Sequence, residues 1–494
     1  MDAGSQLQFD AIPVATPPGG PLAVELVPAP DPWEVARRLA HLPHLLFLDS
    51  AEKHGERGRY SYVAADPQSF SSSAVGEPES KPFESEQADL QLFHLASITG
   101  LPPFQGGVAG LFGYELNRAF ERIAKTPLDE FRHPDIATCT YPWIVSFDHS
   151  QNRSWLVATG FPFLDRENRP KHAQATIQKV YKTLTANLAY TPRTPQSCFM
   201  PAADLPASSL CPQFPLPNFP GVTSNFDREG YEAAVRRVVE YIHAGDAFQV
   251  NLSQRLLAPL REHPLELYGR LRTLNPAPFS AYFDLGDFQI LSASPERFLR
   301  VHPDGEVETR PIKGTRPRGR TPEEDAALIR DLASSPKDHA ENVMIVDLLR
   351  NDIGKACEYG SVRVPRVCEV ESFRFVHHLV SEVRGKLRPG VGPLDLLAGA
   401  FPGGSVTGAP KVRAMEIIAE LEPTARGPYC GCLGWIGFDG AMDTNILIRT
   451  FTAGRGWVQF PVGGGIVADS DPAREYEETL HKAAGLLRSL RFDV

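Results

Sequence analysis

The sequence predicts a large α+β fold. Helical and strand-like segments both recur across residues 20–490, they alternate irregularly, and no repeating strand–helix unit is present, which disfavours a doubly wound sheet. At 494 residues the chain has room for two or three ordinary domains or one large elaborated one.

In residues 20–188, Tyr60-Ser61-Tyr62-Val63-Ala64-Ala65 and Trp155-Leu156-Val157-Ala158 read as strands, and residues 173–188 as a helix. Eight prolines from Pro192 to Pro220 then crowd a stretch of little periodicity. Residues 189–224 are expected to be a linker or surface excursion, and the boundary before a second region at 225–490. In that region residues 231–244 carry apolar positions at helical spacing and stop at Gly245. Phe283-Asp284-Leu285, Phe288-Gln289-Ile290-Leu291 and Phe298-Leu299-Arg300-Val301 read as strands. Residues 336–357 and 411–421 read as helices, and residues 472–490 as the closing helix. Trp435-Ile436-Gly437-Phe438 and Ile446-Leu447-Ile448-Arg449-Thr450 are predicted strands flanking a turn at Asp439-Gly440.

Composition narrows the class. Hydrophobic content of 42% and charged content of 22% suit a soluble globular protein, and the net charge of −10 argues against a large nucleic-acid footprint. Seven cysteines at irregular spacing, with no CxxC pair, suit reduced thiols better than disulfides or a zinc site. Met1-Asp2-Ala3-Gly4-Ser5 is unlike a signal peptide, and no apolar run is long enough to span a bilayer. A cytoplasmic location is expected.

Four features could carry chemistry, and each has a plainer reading. Lys313 in Pro311-Ile312-Lys313-Gly314-Thr315-Arg316 is either a solvated cation or a nucleophile that needs burial or a nearby cation to lose its proton. Asp338 with Glu341, and Glu475 with Glu478, lie one turn apart on two helices. Such pairs are often solvated faces, but two of them across a cleft would suit a hard cation such as magnesium. Gly403-Gly404-Ser405-Val406-Thr407-Gly408-Ala409-Pro410-Lys411 is a tight connection or a carboxylate-binding turn. Its lysine is misplaced for a nucleotide-binding loop. Gly463-Gly464-Gly465 reads as a flexible turn, with close backbone approach to a ligand as the alternative.

Taken in order these features form a series. Gly245-Asp246-Ala247-Phe248-Gln249-Val250-Asn251-Leu252-Ser253-Gln254-Arg255 is followed by Ser294-Pro295-Glu296-Arg297-Phe298, the Lys313 hexapeptide, and residues 340–352. Then come His378-Leu379-Val380-Ser381, the Gly403 turn, Met442-Asp443-Thr444 with Arg449, and a loop at 463–467 ahead of Glu475 and Glu478. The series resembles the chorismate-utilising enzymes, which include anthranilate, aminodeoxychorismate, isochorismate and salicylate synthases, over nearly all of residues 225–490. Leu48-Asp49-Ser50 and Gly58-Arg59-Tyr60-Ser61 are similar to the start of that family's N-terminal region. Lys313 looks like the aminodeoxychorismate branch, because anthranilate synthases carry alanine there.

The resemblance implies two orthogonally packed antiparallel β-sheets flanked by helices in α/β/β/α layers. It implies amination of chorismate at C4 to 4-amino-4-deoxychorismate, with Mg²⁺ held by Glu341 and Glu478 and with Glu475 and Asp338 nearby. Lys313 would add at C2, Glu296 would serve as acid and base, and His378 would assist. Gly314, Thr315, Ser405, Tyr429, Arg449, Gly463, Gly465 and Lys482 would contact substrate, whereas Lys411 and Arg413 could equally be structural. Asp49, Ser50, Pro278, Phe279 and Ser280 correspond to a tryptophan pocket, although Asp49 stands where anthranilate synthases tend to have glutamate. Ammonia would come from a separate glutamine amidotransferase subunit, since Cys432 lacks that enzyme's G-x-C-x-G setting.

Overall fold

Alternation along the strands sorts the apolar side chains into three layers. Phe283 and Ile290 point to one face of their sheet and Tyr282 and Leu291 to the other, as a two-residue period requires. The first pair joins Leu46, Phe104, Tyr141 and Trp435 in a core between the two sheets. The second pair joins the helices Pro32–Leu39, Asn168–Thr185, Pro264–Leu274 and the end of Pro472–Ser489 on the outer face. A third core lies under Arg228–His243, Pro336–Gly354, Pro393–Ala400 and Lys411–Leu421. Each fully buried Phe or Leu contributes roughly 1.5–3 kcal/mol through the surface it removes from water.

The computed structural model describes residues 7–17, 19–53, 57–74, 81–186, 203–373 and 376–491. Among them, two antiparallel sheets of fourteen and ten strands form the body, an α+β fold. Both sheets draw on both ends of the chain. Leu46–Asp49 pairs with Phe279–Asp284 in the larger sheet, and Gly107–Phe112 pairs with Cys432–Gly437 in the smaller. Much of the proline-rich stretch, with Cys198, falls outside the described residues, as does the Met1 segment. Its later part forms the short strands Phe214–Pro215 and Thr223–Ser224 at the edge of the larger sheet. The six described cysteines are free, and no described helix is long and apolar enough to cross a membrane.

The predicted helices are present within a few residues of their expected bounds, but two expectations are overturned. Residues 446–450 are not one strand. Met442–Ile446 belongs to the smaller sheet and Thr450–Gly454 to the larger, and the chain crosses between them with Arg449 at φ 50°. The apolar run reflects burial at the crossing rather than sheet pairing. Gly463, Gly464 and Gly465 are not a flexible turn: they lie in the strand Trp457–Ile466, paired with Ser253, Leu252 and Asn251. Glycine is used there because neighbours press close. A Cβ at Gly463 would lie 2.5 Å from the Leu252 carbonyl oxygen.

Candidate active site

Two neighbouring crossings between the sheets carry Glu296 and Arg449. Glu296 follows Phe288–Ser294 in the larger sheet and precedes Arg297–Val301 in the smaller. The second crossing runs beside it. Ile446 N–H donates to the Glu296 carbonyl and Ala293 N–H to the Arg449 carbonyl, each at 3.1 Å. The Glu296 side chain is buried, and Ser405 Oγ donates to its Oε1 at 2.8 Å. Burial pushes its carboxyl up to about 7, although Ser405, Lys313, Arg57 and Arg449 all favour the charged form. Arg449 is held below its ordinary value by burial, with Glu296 and Glu52 opposing the shift.

Lys313 stands on a bulge. The strand Ile312–Pro317 pairs with Val376–Lys386, but its register shifts between Ile312 and Thr315, where Gly314 adopts φ 81°. The extra residue takes Lys313 out of the regular ladder. Burial lowers its pKa, countered by Glu341, Glu296 and Glu478, so the amine feels the charge both of the acid on the crossing and of the carboxylates on the helices. Thr315 Oγ1 is 2.9 Å from His378 Nδ1. Burial drives His378 down to about 3, leaving it neutral near pH 7.

The carboxylates come from two capped helices. Ser335 caps Pro336–Gly354 and Asp471 caps Pro472–Ser489, each with proline opening the first turn. Glu341 is raised first by burial, and Asp338 and Glu478 add to the shift. Burial likewise raises Glu475, with Glu478 adding to it. For Glu478 burial acts upward too, but Lys482, Lys313 and Lys337 together outweigh it and the pKa falls. Acids that resist one another's ionisation, all with hard oxygen donors, fit a divalent cation such as Mg²⁺. Among the described residues no three His, Cys, Asp or Glu converge closely enough to hold an ion alone. Glu341, Glu475 and Glu478 would therefore share it with substrate and water oxygens. Asp338 is drawn aside by Arg316 at 3.1 Å, an outer member of the set.

The other anticipated contacts divide. Gly464 turns its α-carbon to the acid helix, where a Cβ would sit 3.3 Å from Glu475 and 3.5 Å from Glu478. Lys482 is bonded to Glu478 at 2.7 Å and to the Gly463 carbonyl at 2.9 Å, serving as the acids' counter-charge. Tyr429 is buried near Arg426, whose guanidinium lies 5.7 Å from its ring. The Gly403 turn is a tight connection in which Val406 N–H and Thr407 N–H return to Gly403 and Gly404, and Pro410 caps the helix rather than entering it. Lys411 is paired with Asp352 at 2.6 Å, and Arg413 with Asp246 at 3.0 Å.

Leu48, Asp49, Ser50, Pro278, Phe279 and Ser280 line one pocket, with Arg57, Tyr62 and Trp435. Asp49 is committed to Arg272 at 2.7 Å and Tyr268 at 3.1 Å. Two residues passed over in the sequence act on or pack against these groups. Arg57 acts electrostatically on both Glu296 and His378. Gln249 is fully buried against Gly465 with both amide atoms unpartnered. A buried glutamine inside the 245–255 motif was the available signal for the second.

The family model for chorismate binding enzyme matches residues 44–488. Anthranilate synthase component 1 of Thermus thermophilus is 44% identical over 399 residues, 79% of this chain and 78% of that protein. Aminodeoxychorismate synthase component 1 of Salmonella typhimurium is 40% identical over 463 residues, 91% of this chain and 94% of that protein. The crystal structure of anthranilate synthase component I from Streptococcus pneumoniae TIGR4 superposes with a TM-score of 0.72 at 32% identity, covering 88% of this chain and 93% of that one.

Proposed function

Because this chain belongs to the chorismate-binding enzyme family, we propose that it is the chorismate-aminating component of an aminodeoxychorismate synthase. The observation that carries the reading is Lys313, which stands at a bulge in its strand, has its pKa lowered by burial, and feels the charges of Glu341, Glu296 and Glu478. A lysine so placed has a larger neutral, nucleophilic fraction than a solvated one.

The C4 hydroxyl of chorismate is a poor leaving group, so it must be protonated as it departs. Neutral Lys313 Nζ adds at C2, both ring double bonds shift (C1=C2 to C1=C6 and C5=C6 to C4=C5), the C4–O bond breaks, and Glu296 gives its proton to the departing hydroxyl, which leaves as water. Ammonia then adds at C4, both double bonds shift back, and the C2–N bond breaks to return the amine to Lys313. The new C4 ammonium passes one proton to Glu296 and restores the acid. Arg449 meets the enolpyruvyl carboxylate, with Tyr429 and the Gly463 to Gly465 backbone beside it. The Thr315–His378 pair lies near the leaving group, with His378 able to donate or accept through a neutral ring. Mg²⁺, held by Glu341 and Glu478 with Glu475 and Asp338, would anchor the ring carboxylate and draw electron density from the ring when bound.

Relatives named component 1 support a second component for this enzyme, a glutamine amidotransferase that supplies ammonia in the cytoplasm. The pocket around Asp49 and Phe279 is read as a tryptophan site. The 44% identity to an anthranilate synthase favours one rival, release of anthranilate and pyruvate. Incubation with chorismate, Mg²⁺ and ammonium, followed by product identification, separates the two. 4-Amino-4-deoxychorismate supports the proposal, whereas anthranilate with pyruvate overturns it.

A further inference from the structure

Lys411 and Asp352 form an ion pair buried away from the reaction cleft. Lys411 Nζ lies 2.6 Å from Asp352 Oδ2 and donates to the Ala400 carbonyl, also at 2.6 Å. Ala400 ends one helix and Lys411 begins the next. One side chain therefore closes both ends of the connection at residues 401–410 and ties them to the helix Pro336–Gly354. Midway along that connection, Ser405 holds Glu296 at 2.8 Å. Gly404 packs so tightly on the same helix that a Cβ would fall 2.4 Å from Leu348. Glu341 stands about two turns back from Leu348 along that helix, and about three from Asp352.

We infer that Asp352 and Lys411 are positioning residues, a clamp that holds the Ser405–Glu296 pair in fixed register with the helix bearing Glu341. The clamp touches neither substrate nor cation. It acts through Ser405, whose hydrogen bond sets where the Glu296 carboxyl points. A buried charge pair is a costly way to gain stability alone, because an apolar pair of similar volume often does as well. Its particular value lies in direction, since Lys411 reaches Asp352 and the Ala400 carbonyl at once. The inference rests on the proposed use of this cleft, but the clamp itself can be read without turnover.

The test uses the full chain carrying Asp352→Leu with Lys411→Met, which removes both buried charges and releases only Lys355, a half-exposed lysine 3.6 Å from Asp352 Oδ1, alongside Lys411→Met alone. Hydrogen exchange followed by mass spectrometry reads the clamp, and chorismate consumption with Mg²⁺ and ammonium reads its effect. The double variant is expected to stay folded, to exchange amides in 401–410 about tenfold faster, and to lose roughly 30-fold in kcat with KM nearly unchanged, as a displacement below 1 Å would produce. The alkaline limb of its pH profile should also move, because Glu296 loses its fixed donor. Wild-type exchange in 401–410, or a lowered kcat with that exchange and the pH profile unaltered, overturns the inference. Faster exchange in a protein whose wild type consumes no chorismate would leave the clamp standing and remove the proposed function instead.

Discussion

Glu296 and Arg449 occupy matching places on two adjacent crossings, each where the chain leaves one sheet for the other, and their opposite charges act on one another. A strand that leaves its sheet frees its side chains from the alternating in-and-out pattern. Both residues therefore leave the ladder at neighbouring points, with the chain travelling in opposite directions.

The titration of Glu296 sets one prediction. Its carboxyl is raised to about 7, so it is protonated below that pH and able to protonate the departing hydroxyl. Above it the acid is lost. kcat/KM for chorismate, expressed per concentration of neutral ammonia, should fall along an alkaline limb near pH 7. Glu296→Gln should erase that limb and lower the rate by about 10²–10⁴-fold. A limb that persists in the variant assigns the acid elsewhere.

Magnesium dependence is expected to follow the carboxylates unequally. Glu341→Gln and Glu478→Gln remove donors, whereas Asp338→Asn alters a group already turned to Arg316. Calorimetric titration should show Asp338→Asn weakening Mg²⁺ binding by about 10–100-fold. The two glutamine variants should bind more weakly still. Equal losses in all three would remove the distinction between inner and outer members.

Gly314→Ala tests the bulge. The position has φ 81°, and an added Cβ would meet Asp338 and Leu332 at 3.0 Å. The strained backbone costs roughly 1–2 kcal/mol, a small shift in melting temperature for a chain of this size. Re-aiming Lys313 should nevertheless lower turnover on the order of 100-fold. Activity within a few-fold of wild type would mean that the bulge does not direct the lysine.

Stability should depend most sharply on Arg426. Its guanidinium donates to Glu422 at 2.7 and 2.8 Å and to the carbonyls of Val406 and Asn251. Arg426→Met leaves Glu422 buried without its counter-charge, which costs about 3–5 kcal/mol. Denaturant unfolding checks this, and a loss below about 1 kcal/mol would show that Glu422 finds another partner.

Legibility varied with the kind of interaction. Helices such as Pro336–Gly354 and Pro472–Ser489 were readable because their caps, prolines and apolar spacing are local. The Lys313, Glu296 and Glu478 motifs were readable by resemblance. Residues 446–450 misled because a buried crossing and a buried strand share the same apolar composition, and Arg449's left-handed backbone leaves no local mark. Gly463 to Gly465 misled because glycine in sequence signals freedom, whereas Gly463 answers to the close approach of Leu252 and Ser253, Gly465 to that of Gln249, and Gly464 to Glu475 and Glu478. Lys482 and Lys411 match motifs, yet only their partners Glu478 and Asp352 reveal what they do.

The most direct test of the account compares Lys313→Ala with wild type on chorismate, Mg²⁺ and ammonium, identifying each product. The account predicts 4-amino-4-deoxychorismate from the wild type and loss of at least about 100-fold of that turnover in the variant, since a covalent route splits one difficult displacement into two. Undiminished formation of 4-amino-4-deoxychorismate by Lys313→Ala would contradict it.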